Sequence, residues 1–263
     1  ETGLDARTTP EPLLSMLIEL GEHEAIFRYP VKSMSGERLE GAELGWHGIR
    51  GDRRLAFRRT DDRGGFPWLS AGRLPDLVRF SRMRRGPGGN EELPTHVRTP
   101  EGAELDLFGP ELAADVERRH GAPVEMMQLK HGTFDEASPS VISSTTVREI
   151  CRLAGQGPDV RRFRPNVVIR SLAAIPFEED RWVGGVLSFG PGADAPAISV
   201  TTRDVRCSMV NLDPDSPASA PEVLKTIVKL NQNNAGVYGT VVRGGRLSAG
   251  QMVLLAPAAS WKE

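Results

Sequence analysis

Cys207 follows an arginine in the stretch "DVRCSMVNLDPDS" (residues 204–216), and Asp-Pro-Asp comes soon after. A neighbouring guanidinium favours the thiolate, which is the form of cysteine that ligates soft metals or attacks electrophiles. The other reading is a small buried hydrophobe, the ordinary fate of a free cysteine. The second cysteine, Cys151, lies among Ile150 and Leu153 in a helical pattern and reads as inert packing. Asp213 and Asp215 are either an acidic pair beside Cys207 or plain turn chemistry.

Three further clusters set cations beside turns. "YPVKSMSG" (29–36) places Lys32 and Ser33 between an extended run and a glycine turn. Such a pair suits a phosphate or pterin group, or forms a solvated strand end. "GIRGDRRLAF" (48–57) crowds Arg50, Asp52, Arg53 and Arg54 around Gly51. A guanidinium fork there meets two phosphate oxygens, or pairs with Asp52. "RRFRPNVVIRS" (161–171) holds Arg164 and Asn166 at the mouth of a strand, about a conformationally fixed proline. They face a ligand, or Asn166 caps a turn and Arg164 is solvated.

Other chemistries lack their motifs. The five histidines show no H-x-x-x-H spacing, and no C-x-x-C, G-x-S-x-G, Walker loop or strand-to-helix G-x-G-x-x-G is present. A formal net charge of -2 gives no basic surface for nucleic acid. No apolar run is long enough to span a bilayer. Two isolated cysteines suit a reducing, cytoplasmic compartment.

The elements that must position these residues are mostly strands. "EAIFRYPVK" (24–32), "RRLAFRR" and "VVIRS" read as strands, and "THVRTPEGAELDLF" reads as a hairpin turning at 100–102. "GPGGNEELP" (86–94) is a loop. Three helices are predicted, at "GPELAADVERRHG", "SSTTVREICRLAG" and "EVLKTIVKLNQ". Many short strands and 28 glycines predict an α+β, predominantly β fold with two associated β-barrel-like parts. The expected division is a poorly ordered leader or cloning-derived extension (1–21), an N-terminal part (22–122), a second part (123–258) and a tail (259–263). Met16 is a candidate natural start.

In order, "YPVKS", "GIRGDRR", "SVISSTTV", "RFRPNVVI", "VRCSMVNLDPDS" and "GVYGTVVRGGRLSAGQMVLL" resemble the MOSC family, named for the molybdenum cofactor sulfurase C-terminal domain. The first two resemble its companion N-terminal β-barrel domain. The resemblance runs from about residue 22 to 258. It implies a molybdenum–pyranopterin cofactor with Cys207 as metal ligand. It also implies reduction of N-hydroxylated or N-oxygenated small molecules, as in the mitochondrial amidoxime-reducing component and related bacterial reductases.

By the same resemblance, Lys32, Ser33 and Arg53 hold the cofactor from the N-terminal part. Ser143 and Thr146 contribute from the second helix start, and Arg164 and Asn166 bind the pterin or its phosphate. Arg206 supports the site, Tyr238 lines it, and Asp213 is a catalytic candidate. No ferredoxin-like segment follows "MVLLAP", so a separate flavin, haem or iron–sulfur protein is expected to donate electrons. Pyridoxal phosphate is not expected. The alternative is a non-redox cofactor-binding or sulfur-carrier module using Cys207 as a persulfide.

The sequence departs from the family pattern in three places. Met34 stands where cysteine is common, "LDPDSP" lacks the usual glycine, and Gly72 replaces a common arginine, with Arg73 beside it.

Overall fold

The computed structural model describes residues 17–85 and 93–258. Most of the loop at 86–94, residues 1–16 of the expected leader and the tail from 259 lie outside these. The strand expected at "EAIFRYPVK" is β1 (Ile18–Arg28), and it begins earlier than the boundary at residue 22. It starts early because Leu20 is buried and Ile18 to Glu22 already pair with another strand. There follow β2 (Glu37–Leu39), β3 (Gly41–Gly45), β4 (Gly48–Ile49), β5 (Leu55–Arg59), β6 (Ser81–Met83), β7 (His96–Arg98) and β8 (Glu104–Asp106). Helix α1 (Pro110–His120) precedes β9 (Val124–Gln128). The remainder is β10 (Ser140–Ser143), α2 (Ser144–Leu153), β11 (Val167–Ser171), β12 (Val186–Ser188), β13 (Ala197–Val205), α3 (Glu222–Asn231), β14 (Asn234–Arg243), β15 (Gly245–Ser248) and β16 (Met252–Ala256).

The three expected helices all form, and their ends obey capping chemistry. Pro110 opens α1, and Gly121 closes it in the left-handed conformation. Ser143 caps α2 by accepting from the Thr145 N–H. The expected hairpin is the β7–β8 pair.

Seven strands close a barrel in the order β11-β10-β14-β13-β12-β16-β1, sealed by antiparallel pairing of β1 with β11. Alternation along the strands sorts side chains into layers. Val167 and Ile169 of β11 point into the barrel core, while Val168 packs outside with Val147 and Ile150 of α2 and Ile227 of α3. The apolar run "VVI" is therefore buried on both faces.

The fold is α+β and predominantly β, as expected. The closed barrel takes β1 from the expected N-terminal part as well as six strands from the second. Among the described residues, small sheets, β5–β9 and β6-β7-β8, lie beside it with α1, and β9 comes from the expected second part. Their strands are three to five residues long, too short to wrap around a core. They instead cover a separate cluster that includes Val31, Met34, Leu55, Phe57, Phe80 and Leu112.

Barrel closure depends on Gly21, which sits at a register shift in β1 with φ +147°. A Cβ there would lie 2.0 Å from the Arg170 carbonyl oxygen. Gly21→Ala is expected to destabilise the protein by about 3 kcal/mol or more, combining backbone strain with overpacking. Urea unfolding checks this; an unchanged midpoint would show that the closure tolerates a side chain.

Candidate functional site

Where β1 ends, Tyr29 turns inward and is fully buried. Its N–H donates to Asp52 Oδ1 at 2.6 Å, and Asp52 also accepts from the Arg53 guanidinium. The guanidiniums of Arg53 and Arg164 pack on the Tyr29 ring, 4.9 and 4.2 Å from its centroid. Arg53 Nη2 donates to the Arg164 carbonyl (3.1 Å), and Arg164 Nη1 donates to the Met34 carbonyl (2.6 Å). Burial, then the charge of Arg53, lowers the Arg164 pKa to about 10. For Arg53 burial is the largest influence and pulls down, but Asp52, Tyr29 and Tyr238 together outweigh it and the pKa is raised.

Ser33, Arg53 and Arg164 all adopt left-handed backbone, with φ of +68°, +50° and +51°. Such conformations are uncommon outside glycine and persist only where the surroundings enforce them. Here the enforcing contacts are visible. The Lys32 N–H bonds the Leu55 carbonyl (2.7 Å), the Arg53 N–H bonds the Tyr29 carbonyl (2.7 Å), and Ser33 Oγ accepts from the Ala71 N–H (3.0 Å). Lys32 Nζ lies 5.1 Å above the Phe66 ring and pairs with Asp135 at 2.8 Å. Burial lowers the Lys32 pKa, with Asp135 opposing.

From the barrel side, β13 ends beside Cys207. Arg206 spends two of its guanidinium nitrogens on carbonyls and sets the third, Nη2, beside a carboxylate without a hydrogen bond of its own. It donates to the Ala235 carbonyl (2.7 Å) and the Phe163 carbonyl (2.8 Å), and pairs with Asp204 (2.8 Å). Asp204 in turn accepts from Ser140 Oγ (3.0 Å) and is bonded by Tyr238. Burial raises the Asp204 pKa against these partners. Cys207 itself is exposed and begins the short turn Ser208–Asn211. That turn is held from below by buried Arg162, which donates to the carbonyls of Asn211 (3.1 Å) and Leu212 (2.8 Å).

Lys32, Ser33, Arg53, Arg164, Arg206, Cys207 and Tyr238 line one cleft of about 460 Å³. Seven of the eleven sequence candidates thus converge from the two parts of the chain. The other four lie elsewhere. Asp213 pairs with Arg162 (2.8 Å) and accepts from the N–H groups of Asp215 and Ser216, so it shapes the turn after the cysteine. Asn166 is buried, accepting from the Ser140 N–H and donating to the Phe27 carbonyl. It stitches β10 to β1. Ser143 and Thr146 face a buried carboxylate, Glu179: Thr146 Oγ1 donates to it at 2.8 Å and the Ser143 N–H at 3.4 Å.

Sequence reasoning missed Tyr29, Asp135, Arg162 and Asp204. Asp204 carried a signal, since its spacing of two from Arg206 puts both on one side of an extended strand. Asp135 carried none, because it reaches Lys32 from a loop 103 positions away.

The fold and cleft define a β-barrel protein with an exposed thiol among buried cations. The MOSC domain family model matches residues 117–254, over half of the chain. The chain belongs to the MOSC domain family, which is associated with binding of the molybdenum cofactor. A search of curated proteins returned no match. Among solved structures, the YuaD protein from Bacillus subtilis is similar at 12% identity and TM-score 0.49, over 92% of this chain and 97% of that one. YiiM from Geobacillus stearothermophilus is similar at 18% identity and TM-score 0.35, over 46% and 55%.

Two outcomes follow from this geometry. Cys207 is exposed and Cys151 is 0% exposed. A thiol reagent such as DTNB is therefore expected to titrate one thiol of the native protein about 100-fold faster than the other. Cys207→Ser should abolish the fast phase; a fast phase that survives would place the reactive thiol at Cys151.

The second outcome concerns pH. Burial pushes the Glu179 carboxyl from 4.5 up to about 7. The folded state then holds its proton more tightly than the unfolded chain. The resulting stabilisation is complete below about pH 4.5 and is lost as pH rises through about 7. Thermal melts from about pH 5 to 8 should show a steeper fall in Tm for the natural protein than for Glu179→Gln. Parallel slopes would remove Glu179 as the cause.

Proposed function

We propose that the cleft holds a molybdenum–pyranopterin cofactor with Cys207 as the metal ligand, and that the protein reduces N-oxygenated small molecules with electrons from a separate donor protein. The observation that carries this is the exposed Cys207 thiol in the same cleft as Lys32, Arg53 and Arg164. A soft thiolate suits molybdenum, and guanidinium and ammonium groups suit a pterin phosphate.

The donor set fits on a further point. Arg164 Nη2 is buried without a hydrogen-bond partner, and Arg164 makes no ion pair among the described residues. An unpaired buried cation is costly, and an anionic ligand relieves it. The cofactor, when bound, supplies the two-electron redox chemistry.

The chain's own residues bind and orient. Arg164 and Arg53, braced on Tyr29, present fixed positive charge. Lys32 exchanges Asp135 for the incoming anion. Arg206 fixes the backbone on which Cys207 stands through its bonds to the Ala235 and Phe163 carbonyls, and adds positive potential. Asp204 holds Tyr238 on the cleft wall. Arg162 keeps the thiol-bearing turn in one position, which matters because misplacement of about 1 Å costs catalysts heavily.

Metal analysis of protein made in a cofactor-competent host tests the reading. Molybdenum is expected in proportion to protein and absent from Cys207→Ser. Reduction of benzamidoxime with an artificial electron donor is expected from the loaded protein. Absence of both metal and pterin from the natural protein would end this reading. Metal without reduction would favour a cofactor or sulfur carrier.

A further inference from the structure

A second cavity, of about 270 Å³, shares Arg162, Arg164 and Met209 with the thiol cleft but contains neither Cys207 nor Lys32. Its polar wall includes Tyr29, Ser81, Arg79 and Arg161. Val78, Met209 and Leu212 supply an apolar wall.

The charges on the polar wall do not balance internally. Arg79 pairs with Asp76 (2.5 Å), Arg161 with Asp159 (2.7 Å) and Asp215 (2.5 Å), and Arg162 with Asp213 (2.8 Å). Arg164 alone of the four lacks a carboxylate among the described residues, and its Nη2 has no hydrogen-bond partner. Tyr29 is 1% exposed, and its hydroxyl has no partner either. Buried tyrosine hydroxyls normally find one. Arg162 on the same wall also has its Nε without a partner, so three residues with an unsatisfied donor line a cavity with an apolar side. That pairing of features is typical of small-molecule sites.

We propose that this cavity is a binding site for a small anion with a flat apolar body, a carboxylate or a phosphate monoester. Its head takes the hydrogen bonds of Tyr29 Oη and Arg164 Nη2, and its body lies against Val78, Met209 and Leu212. The site needs no metal and no cofactor, although it draws on the same Arg164 donor that supports the reading of the thiol cleft. Because Arg164 lines both spaces, an occupant here alters the potential felt in the other.

Titration calorimetry of the purified chain with benzoate, phenyl phosphate and neutral benzamide tests it. Saturable binding of benzoate or phenyl phosphate is expected, with the stronger of the two naming the head group. Benzamide should bind at least about tenfold more weakly, and Tyr29→Phe should weaken the anion about tenfold or more, as loss of a hydrogen bond to a charged group implies. Ser81→Trp, a bulky change at a half-buried strand position on the cavity wall, should abolish binding and guards against misfolding of Tyr29→Phe. No saturable binding, equal affinity for benzamide, or undiminished binding in folded Ser81→Trp would each overturn the proposal.

Discussion

Two guanidiniums share one buried tyrosine ring. Like charges this close repel, and each is stripped of much of its water. The protein offsets the cost locally. Asp52 neutralises Arg53 and fixes the Tyr29 backbone, and the carbonyls of Arg164 and Met34 each accept one further bond. The two arginines come from opposite halves of the chain, 111 positions apart. The cluster therefore does more than furnish charge. It is the polar seam along which the small sheets register against the barrel, and it leaves one cationic donor unspent at that seam.

The rest of the site follows from that placement. The chain cannot bring Ser33, Arg53 and Arg164 to the seam in relaxed backbone, so all three adopt the left-handed conformation. The barrel side answers with a second network of Asp204, Arg206, Ser140 and Tyr238, which fixes the segment leading to Cys207. Met209 and Leu212, just past the cysteine, pack on the core of the small sheets. The thiol is thus carried by the barrel and steadied by its neighbour, a division that suits a ligand held between two bodies.

Much of this was legible in the sequence, for local reasons. Strand alternation, the capping serine of α2 and the proline and glycine ends of α1 are short-range signals, and they placed the elements. Lys32, Arg53, Arg164 and Cys207 were conspicuous because cations beside glycine or proline turns, and a thiol beside arginine, have few uses. What stayed hidden was non-local. Nothing near Asp135 points to Lys32. Hydroxyls at a helix start serve a ligand or a cap equally well: the Ser143 hydroxyl caps α2, while the Thr146 hydroxyl and the Ser143 N–H meet Glu179, a partner more than thirty positions away. Asn166 and Asp213 show the same ambiguity: both have side chains that bond backbone readily, and both do so here. Closure of the barrel by β1 was equally invisible, since it joins residues near 25 to residues near 168.

The chain contains only two tyrosines, and both belong to this site. Tyr29 lies under the paired guanidiniums, and Tyr238 lines the thiol cleft beside Asp204. A protein grown on fluorotyrosine would therefore carry two fluorine nuclei, one in each space on either flank of Arg164. Their resonances would report separately on what enters the second cavity and what enters the cleft, with no signal from the remainder of the fold.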